Sequence, residues 1–482
     1  MRQYQMFIDG SFVPNGSRKM IPVINPATEE IISEIPAGTE EDVEAAVSAA
    51  ERAQKDWENK PAAERAVYLH EIASLIRENV DFLARIVSEE QGKVLTISTG
   101  EVLLSADYFD YMAEYARRIL GEIIQSDRPN EKIYLHKLPV GVVAGILPWN
   151  YPFFLIARKV APALITGNTI VIKPSTETPN NACEFTKLIE KSSLPKGVLN
   201  LVTGAGGIVG NAMAKNPKVG MVSLTGSVEA GAKIMAAAAP NITKVSLELG
   251  GKAPAIVMPD ADLDLAAKAI RDSRIVNTGQ VCNCAERVYV HESVAEEFTR
   301  KVTEQMKATT WGNALTDNDA DMGPLVSAAQ LASVDAAVKK AISEGARCIL
   351  GGKRPNTEKG FYYEPTVLVD CRHDMAICHE ETFGPVLPIT TFGDFNEALR
   401  MANDCEYGLT SSIYTQDIDI IMRACTEIKF GETYVNRENG EAIQGYHAGW
   451  RKSGIGGADG SHGLEEYLQT HVVYIQYNNR KK

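Results

Sequence analysis

Four short segments carry residue types that can do covalent chemistry. Gly279-Gln280-Val281-Cys282-Asn283-Cys284 offers a thiol near a helix-to-strand junction, and Leu247-Glu248-Leu249-Gly250-Gly251-Lys252 a carboxylate at the end of a strand pattern. Pro148-Trp149-Asn150 offers an amide on a stiff turn, and Glu380-Glu381-Thr382-Phe383-Gly384-Pro385 a carboxylate beside an aromatic ring. An unperturbed thiol titrates at about 8.5, so Cys282 attacks carbon only where its surroundings favour the thiolate; otherwise it packs as a small hydrophobe. Glu248 falls at the carboxyl end of a strand, where parallel sheets bind ligands. The alternatives for it are a salt bridge to Lys252 or a helix cap. Asn150 can donate its amide to an oxyanion or simply form the turn.

Two glycine-rich stretches have the makings of phosphate loops. Gly204-Ala205-Gly206-Gly207-Ile208-Val209-Gly210 reads G-x-G-x-x-x-G, one residue longer than the dinucleotide fingerprint. Thr225-Gly226-Ser227 opens a helix after a strand, so its free amides can hold a pyrophosphate or merely close a tight turn. Cys371, His373, Cys378 and His379 are metal-ligand types, but their spacing matches no zinc pattern well, and no metal is expected.

The elements that must position these groups alternate. Strands are expected at 141–147, 168–173, 197–203, 219–225 and 244–250, with helices at 153–166, 178–192, 207–215 and 227–239. A second series places strands at 254–258, 286–291, 346–350, 384–391, 409–414 and 432–436. Such alternation needs crossover connections, hence mostly parallel sheets covered on both faces. Two α/β domains joined near Gly250-Gly251 follow. Upstream, Thr39 with Asp42 reads as a capping box, and Pro61 as the start of a second helix. The segments 119–140 and 471–477 hold isolated strand patterns, which must pair with each other or with another chain.

Composition narrows the function classes. The 482 residues are 45% hydrophobic and 23% charged, a globular mix long enough to bury a large core without disulfides. Net charge is −13, which disfavours a sequence-independent grip on nucleic acid. The only basic run is the short tail Asn478-Asn479-Arg480-Lys481-Lys482. Eight cysteines without framework spacing, and no apolar leader at Met1, indicate a reducing, cytoplasmic setting. Val140 to Ala157 carries no charge and has the length of a membrane span. Pro148 and Pro152 instead divide it into strand, loop and helix, so no membrane partner is expected.

Taken in order, these segments, together with Ile172-Lys173-Pro174-Ser175 and Lys452-Ser453-Gly454, resemble the aldehyde dehydrogenase superfamily over essentially the whole chain. Asn436-Arg437-Glu438-Asn439 and the stretch from His447 to Gly454 resemble the bacterial members acting on lactaldehyde and glycolaldehyde. The resemblance implies an α/β fold with a Rossmann-like dinucleotide-binding domain (1–118 and 141–250), an α/β catalytic domain (251–450) and a small β oligomerisation element (119–140 and 465–482). It implies a homodimer or homotetramer, and NAD or NADP as cofactor. Cys282 then attacks the aldehyde, the Asn150 amide and the Cys282 backbone amide hold the oxyanion, and Glu248 activates water to hydrolyse the thioester.

For the dinucleotide, the resemblance assigns Lys173 to the adenosine ribose, Trp149 and Ser227 to the pyrophosphate region, and Glu381 to the nicotinamide ribose, with Phe383 near that ring. Leu147, Pro148, Thr176, Gly226 and Leu249 complete the cofactor set. NAD-preferring relatives often carry Glu where this chain has Thr176. The Glu is one residue later, at Glu177, so NADP is expected to be tolerated. Arg158, Glu441 and His447 fall at the substrate mouth and make it polar, which suits a short hydroxylated aldehyde. An internal Arg158–Glu441 ion pair is the alternative reading. Another short-chain or semialdehyde dehydrogenase remains a same-family alternative. Glu248 argues against transfer of the acyl group to coenzyme A, and the intact Cys282, Glu248 and Asn150 argue against a non-catalytic relative.

Overall fold

Val140 to Ala157 resolves into the strand Val142–Ile146, a loop carrying Pro148 and Asn150, and the helix Pro152–Ile165. Pro152 stands in the first turn, where its missing amide costs nothing. The computed structural model describes residues 1–317 and 319–478, and the basic run Arg480-Lys481-Lys482 lies outside them. No helix among the described residues is long and apolar enough to cross a membrane.

The first alternating series forms one eight-stranded sheet. Its parallel centre runs Lys244–Glu248, Val219–Thr225, Val142–Ile146, Thr169–Lys173, Leu199–Leu201. The short strand Gly454–Ile455 extends it antiparallel on one side, and the hairpin Met6–Ile8/Ser11–Val13 on the other. Helix Val228–Ala238 follows strand Val219–Thr225 directly, and Ser227 caps it by accepting from the Ala230 amide. The expected helix at 207–215 is a π turn, Gly206–Gly210, running into a short helix, Asn211–Lys215.

The second series forms a seven-stranded sheet ordered Arg347–Leu350, Thr366–Val369, Val386–Phe392, Ala285–His291, Ala253–Val257, Thr410–Tyr414, Glu432–Val435. All its pairings are parallel except the first. Strand Thr366–Val369 is absent from the expected set: four residues between loops show no usable period. The two isolated strand patterns do pair with each other. Glu131–Pro139 and Leu468–Gln476 run antiparallel over nine residues, with Glu122–Gln125 on the other side. The helix before them ends at Ala113 and tightens into a 3-10 turn, Glu114–Arg117.

Of the N-terminal helices, Glu40–Glu58 packs against the first sheet, and Ala62–Glu78, Val80–Gln91 and Leu95–Ala113 pack over helices Pro152–Ile165 and Asn180–Lys191. Thr39 and Asp42 form the reciprocal capping box of helix Glu40–Glu58. Ahead of it lie five short strands between Arg2 and Pro36 that the helical pattern did not reveal. Their one strong signal is Asp9-Gly10, both in the left-handed region, closing a two-residue hairpin. Helix Leu95–Ala113 carries Glu101 in its second turn. There the carboxylate accepts from the Phe153 and Phe154 amides at 2.8 and 3.1 Å, capping a helix with no side-chain cap of its own.

Candidate active site

The cysteine loop follows helix Leu263–Ile275 and enters strand Ala285–His291. Asn277, Thr278 and Gly279 all have positive φ (48°, 59° and 74°). Such strain costs about 1–3 kcal/mol per non-glycine residue, so the surroundings must enforce it. Arg274 donates to the Gly279 and Ala285 carbonyls at 2.7 and 2.9 Å. Gln280 bridges the Asn277 carbonyl and the Val326 amide. A methyl at Gly279 would stand 2.3 Å from the Gly384 carbonyl oxygen, so this position admits no side chain. Cys282 emerges half-buried, whereas Cys284 is fully buried and its thiol is pushed up to about 12 by that burial.

Asn150 faces this loop. Its side-chain amide donates to the Gln280 carbonyl at 3.0 Å, which leaves its second N–H for a ligand. Its own carbonyl accepts from Lys93 at 2.7 Å and Asn277 at 2.9 Å, and Lys93 is paired with Glu101 at 2.6 Å. Asn150 is therefore held at both ends.

Glu248 ends its strand with a side chain 7% exposed, and neither carboxylate oxygen has a hydrogen-bond partner among the described residues. Burial pushes its pKa up to about 7, against the opposing charges of His447, Arg158 and Lys159. Neither the Lys252 salt bridge nor the helix cap is formed: Lys252 pairs with Glu286 at 2.8 Å. A buried carboxylate with no hydrogen bond, only the His447 Nε2 at 3.5 Å, that titrates near neutrality can accept a proton from water.

One cleft of 760 Å³ gathers these groups with the residues assigned to the cofactor and to the substrate mouth. Leu147, Pro148 and Trp149 form one wall, and Trp149 meets Phe383 edge-on at 5.4 Å. Gly226, Ser227 and Leu249 lie at the opening of helix Val228–Ala238. A methyl at Gly231 would meet Leu249 at 2.7 Å, so that helix lies close against the strand ends. Glu381 is pushed up to about 7, chiefly by burial, and one of its oxygens accepts from the Gly251 amide at 2.8 Å. Lys173 is 4% exposed and donates to the Pro174 carbonyl; among the described residues no carboxylate pairs with it, and burial lowers it to about 8. Thr176 lines the cleft two residues beyond Pro174, and Glu177 beside it is exposed. A buried ammonium without a counter-ion, a helix N-terminus and a half-satisfied carboxylate along one wall fit a dinucleotide's hydroxyls and phosphates.

At the other mouth, Arg158 grips Asp459 at 3.0 and 2.5 Å and reaches Glu441 at 3.2 Å. The ion pair with Glu441 thus exists, with Asp459 as the stronger partner. Asn283 donates to the second Glu441 oxygen. His447 is buried; its Nδ1 meets Glu432 at 2.5 Å and its Nε2 lies 3.5 Å from Glu248. Glu432, Asp459, Asn283, Lys93 and Glu101 escaped the sequence reading. Only Glu432 carried a signal, as the first residue of a strand whose carboxyl-end neighbours were already in view.

Elsewhere, His373, His379 and Asp404 bring three ligand atoms within 4.8 Å of one another. Hydrogen bonds occupy them: His373 to Tyr289 and Asp404, and His379 to the His373 carbonyl.

Comparison with known proteins agrees with this geometry. The aldehyde dehydrogenase family model matches residues 12–473. Lactaldehyde dehydrogenase of Escherichia coli K12 is 60% identical over 98% of this chain and 99% of its own. The crystal structure of the E. coli lactaldehyde dehydrogenase superposes with a TM-score of 0.98 over the same shares of the two chains. A 3,6-anhydro-L-galactose dehydrogenase solved in complex with NAP is 45% identical, with a TM-score of 0.96 over 98% of this chain and 100% of that one. The chain belongs to the aldehyde dehydrogenase family, with that family's mixed α/β fold, and is an oxidoreductase of NAD(P)-dependent aldehyde oxidation.

Proposed function

We propose that this enzyme oxidises short hydroxylated aldehydes, lactaldehyde and glycolaldehyde among them, to carboxylic acids. The observation that carries the reading is the polar mouth beside Cys282, where Asn283, Glu441 and His447 converge. Arg158 shapes this mouth through its ion pairs; its Nη1 is the arm without a hydrogen-bond partner among the described residues.

In this reading Cys282 Sγ bonds to the aldehyde carbon. The free Asn150 N–H and the Cys282 backbone amide hold the resulting oxyanion. NAD or NADP, when bound, supplies the two-electron acceptor. Lys173 and Thr176 hold its adenosine end, and Gly226, Ser227 and Trp149 its phosphates. Glu381, Phe383, Leu147, Pro148 and Leu249 frame its nicotinamide end. Glu248 then takes a proton from water, which displaces Cys282 from the thioester and releases the acid. This base favours hydrolysis over transfer to coenzyme A. With Thr176 in place of a carboxylate, the 2′-phosphate of NADP meets no repulsion there, in keeping with the NAP-bound relative.

A panel of short aldehydes with both cofactors tests the reading. Replacing Arg158 or His447 should weaken glycolaldehyde use more than propanal use, and equal losses on both aldehydes would overturn the substrate assignment. Residues 1–118 with 141–250 form the cofactor domain and 251–450 the catalytic domain. The exposed strand Leu468–Gln476, with 119–140, joins copies into a dimer or tetramer in the cytoplasm. Light scattering of the purified chain would overturn this if it gave a monomer.

A further inference from the structure

Cys282 is half-buried in a cleft that holds the carboxylates Glu248, Glu381 and Glu441 and the basic groups Arg158, Lys173 and His447, and burial disfavours its thiolate. His447 sits on the segment that leads back toward the first sheet, and its backbone is fixed by reciprocal hydrogen bonds with Ala458, at 2.9 and 2.8 Å. Its Nδ1 meets the Glu432 carboxylate at 2.5 Å. A ring nitrogen facing a carboxylate at that distance carries its proton, so the hydrogen-bonding state of Nε2 is what varies. Nε2 lies 3.5 Å from Glu248, and His447 lines the same cleft as the Cys282 thiol.

We propose that His447, oriented by Glu432, is the group that holds Cys282 as a thiolate before aldehyde arrives. The assignment rests on the reading of Cys282 as nucleophile. The Cys282 S–H proton passes to His447 Nε2, the S–H electron pair stays on sulfur, and the imidazole becomes an imidazolium whose second N–H remains on Glu432. No proton enters or leaves the site. His447 thereby acts on the reacting atom, and Glu432 is a positioning residue that acts through it.

The groups around the imidazole favour its charge. Glu248 faces it from strand Lys244–Glu248, Glu432 from strand Glu432–Val435, and Glu441 and Asp459 from the loops on either side. Against them stand Arg158, already bound by Asp459 and Glu441, and Lys159, which donates to Ser223 and Thr225. Four carboxylates thus outnumber two cations. Burial works against a charged His447, but hydrogen bonds to Cys282 and Glu432 and the charges of Glu248 and Glu441 carry its pKa well above the ordinary value. Burial raises the Cys282 thiol above its ordinary value; the hydrogen bond and charge of His447 are the larger opposing causes and the charge of Arg158 a smaller one, so removing His447 takes away most of what opposes burial.

The test is the pH dependence of iodoacetamide alkylation on the full chain, without aldehyde or dinucleotide. Tandem mass analysis of the peptide that carries both Cys282 and the buried Cys284 locates the label on Cys282, and the other six cysteines fall on other peptides. His447→Gln should move the profile up by at least one pH unit, which is a roughly tenfold slower reaction at neutral pH. Glu432→Gln should move it part of the way in the same direction, and Glu432→Asp should recover most of the loss. Unmoved profiles in both His447→Gln and Glu432→Gln overturn the proposal. If His447→Gln does not fold, the Glu432 pair decides by the same criterion. A wild-type Cys282 that reacts no faster than the exposed Cys425 overturns the nucleophile reading and this proposal with it. Hydroxyaldehyde preference is not read in this assay, so the substrate assignment can fail while the thiolate assignment stands.

Discussion

Two buried ionic clusters flank the cysteine loop, and they differ in how completely their charges are met. In the first, Glu286 takes Lys252 at 2.8 Å and Arg274 at 2.9 Å, and also accepts from the Thr382 and Phe383 amides. Burial would raise its pKa, but the two cations overcome it and the carboxylate stays below its ordinary range. In the second, Glu248 has no hydrogen bond to either oxygen among the described residues and is pushed up to about 7, while His447 faces Glu432 and Glu248 and bears on Cys282. A satisfied cluster fixes geometry, whereas an unsatisfied one keeps protons available for chemistry. The first braces the loop and the Glu381–Phe383 wall; the second faces the substrate.

The sharpest break between the two is expected from the nucleophile. Cys282→Ser should lower aldehyde oxidation by ~10³-fold or more while leaving thermal unfolding close to wild type, measured by NADH absorbance and calorimetry. Next, Glu248→Gln should lower steady-state turnover by about 10²–10⁴-fold but preserve a first-turnover burst of NADH, because only thioester hydrolysis loses its base. A lost burst would move Glu248 to an earlier step. Glu286→Gln should behave oppositely. It leaves Lys252 and Arg274 buried without their anion and should cost about 3–5 kcal/mol in denaturant unfolding. If that variant unfolded like wild type, the structural role of the first cluster would be wrong.

The pH dependence separates the clusters more gently. Glu248 works as a base only when ionised, and its pKa lies at about 7, so the hydrolytic step should rise with pH through neutrality and then level off. Glu286 is held ionised below its ordinary range and should contribute no transition there. Stopped-flow separation of burst and steady state over pH 5.5–9, an interval set by the roughly 2-unit width of one titration on each side, checks this. The smallest effect concerns the cofactor: NAD should exceed NADP in kcat/KM by less than about a thousandfold, as expected where no carboxylate opposes the 2′-phosphate.

Much of this was legible in the sequence, for physical reasons. The strands of both parallel sheets are short apolar runs buried on both faces, and period and length identify them. Cys282, Glu248 and Asn150 stood out because glycine and proline flank them, and those glycines answer to a measurable need: Gly279 has positive φ and no room for a methyl. What stayed hidden depends on distant contacts. Asp459 adopts positive φ without being glycine and pairs with Arg158 across some three hundred positions. Glu432 looks in the sequence like any polar strand residue; only the packing of the 446–458 segment makes it a partner of His447. The N-terminal strands were missed because helical periodicity downstream dominated and each strand is only two to six residues long.

Glu101 caps the helix that follows Asn150, and through Lys93 it also fixes the Asn150 carbonyl. It belongs to a helical layer outside both large sheets. A shortened chain that began after that layer would retain the thiol, the glutamate and every sheet strand from Val142 onward. It would still lose the stiff seat of the alkoxide's donor, so the outer helices are part of the reaction's machinery rather than cladding around it.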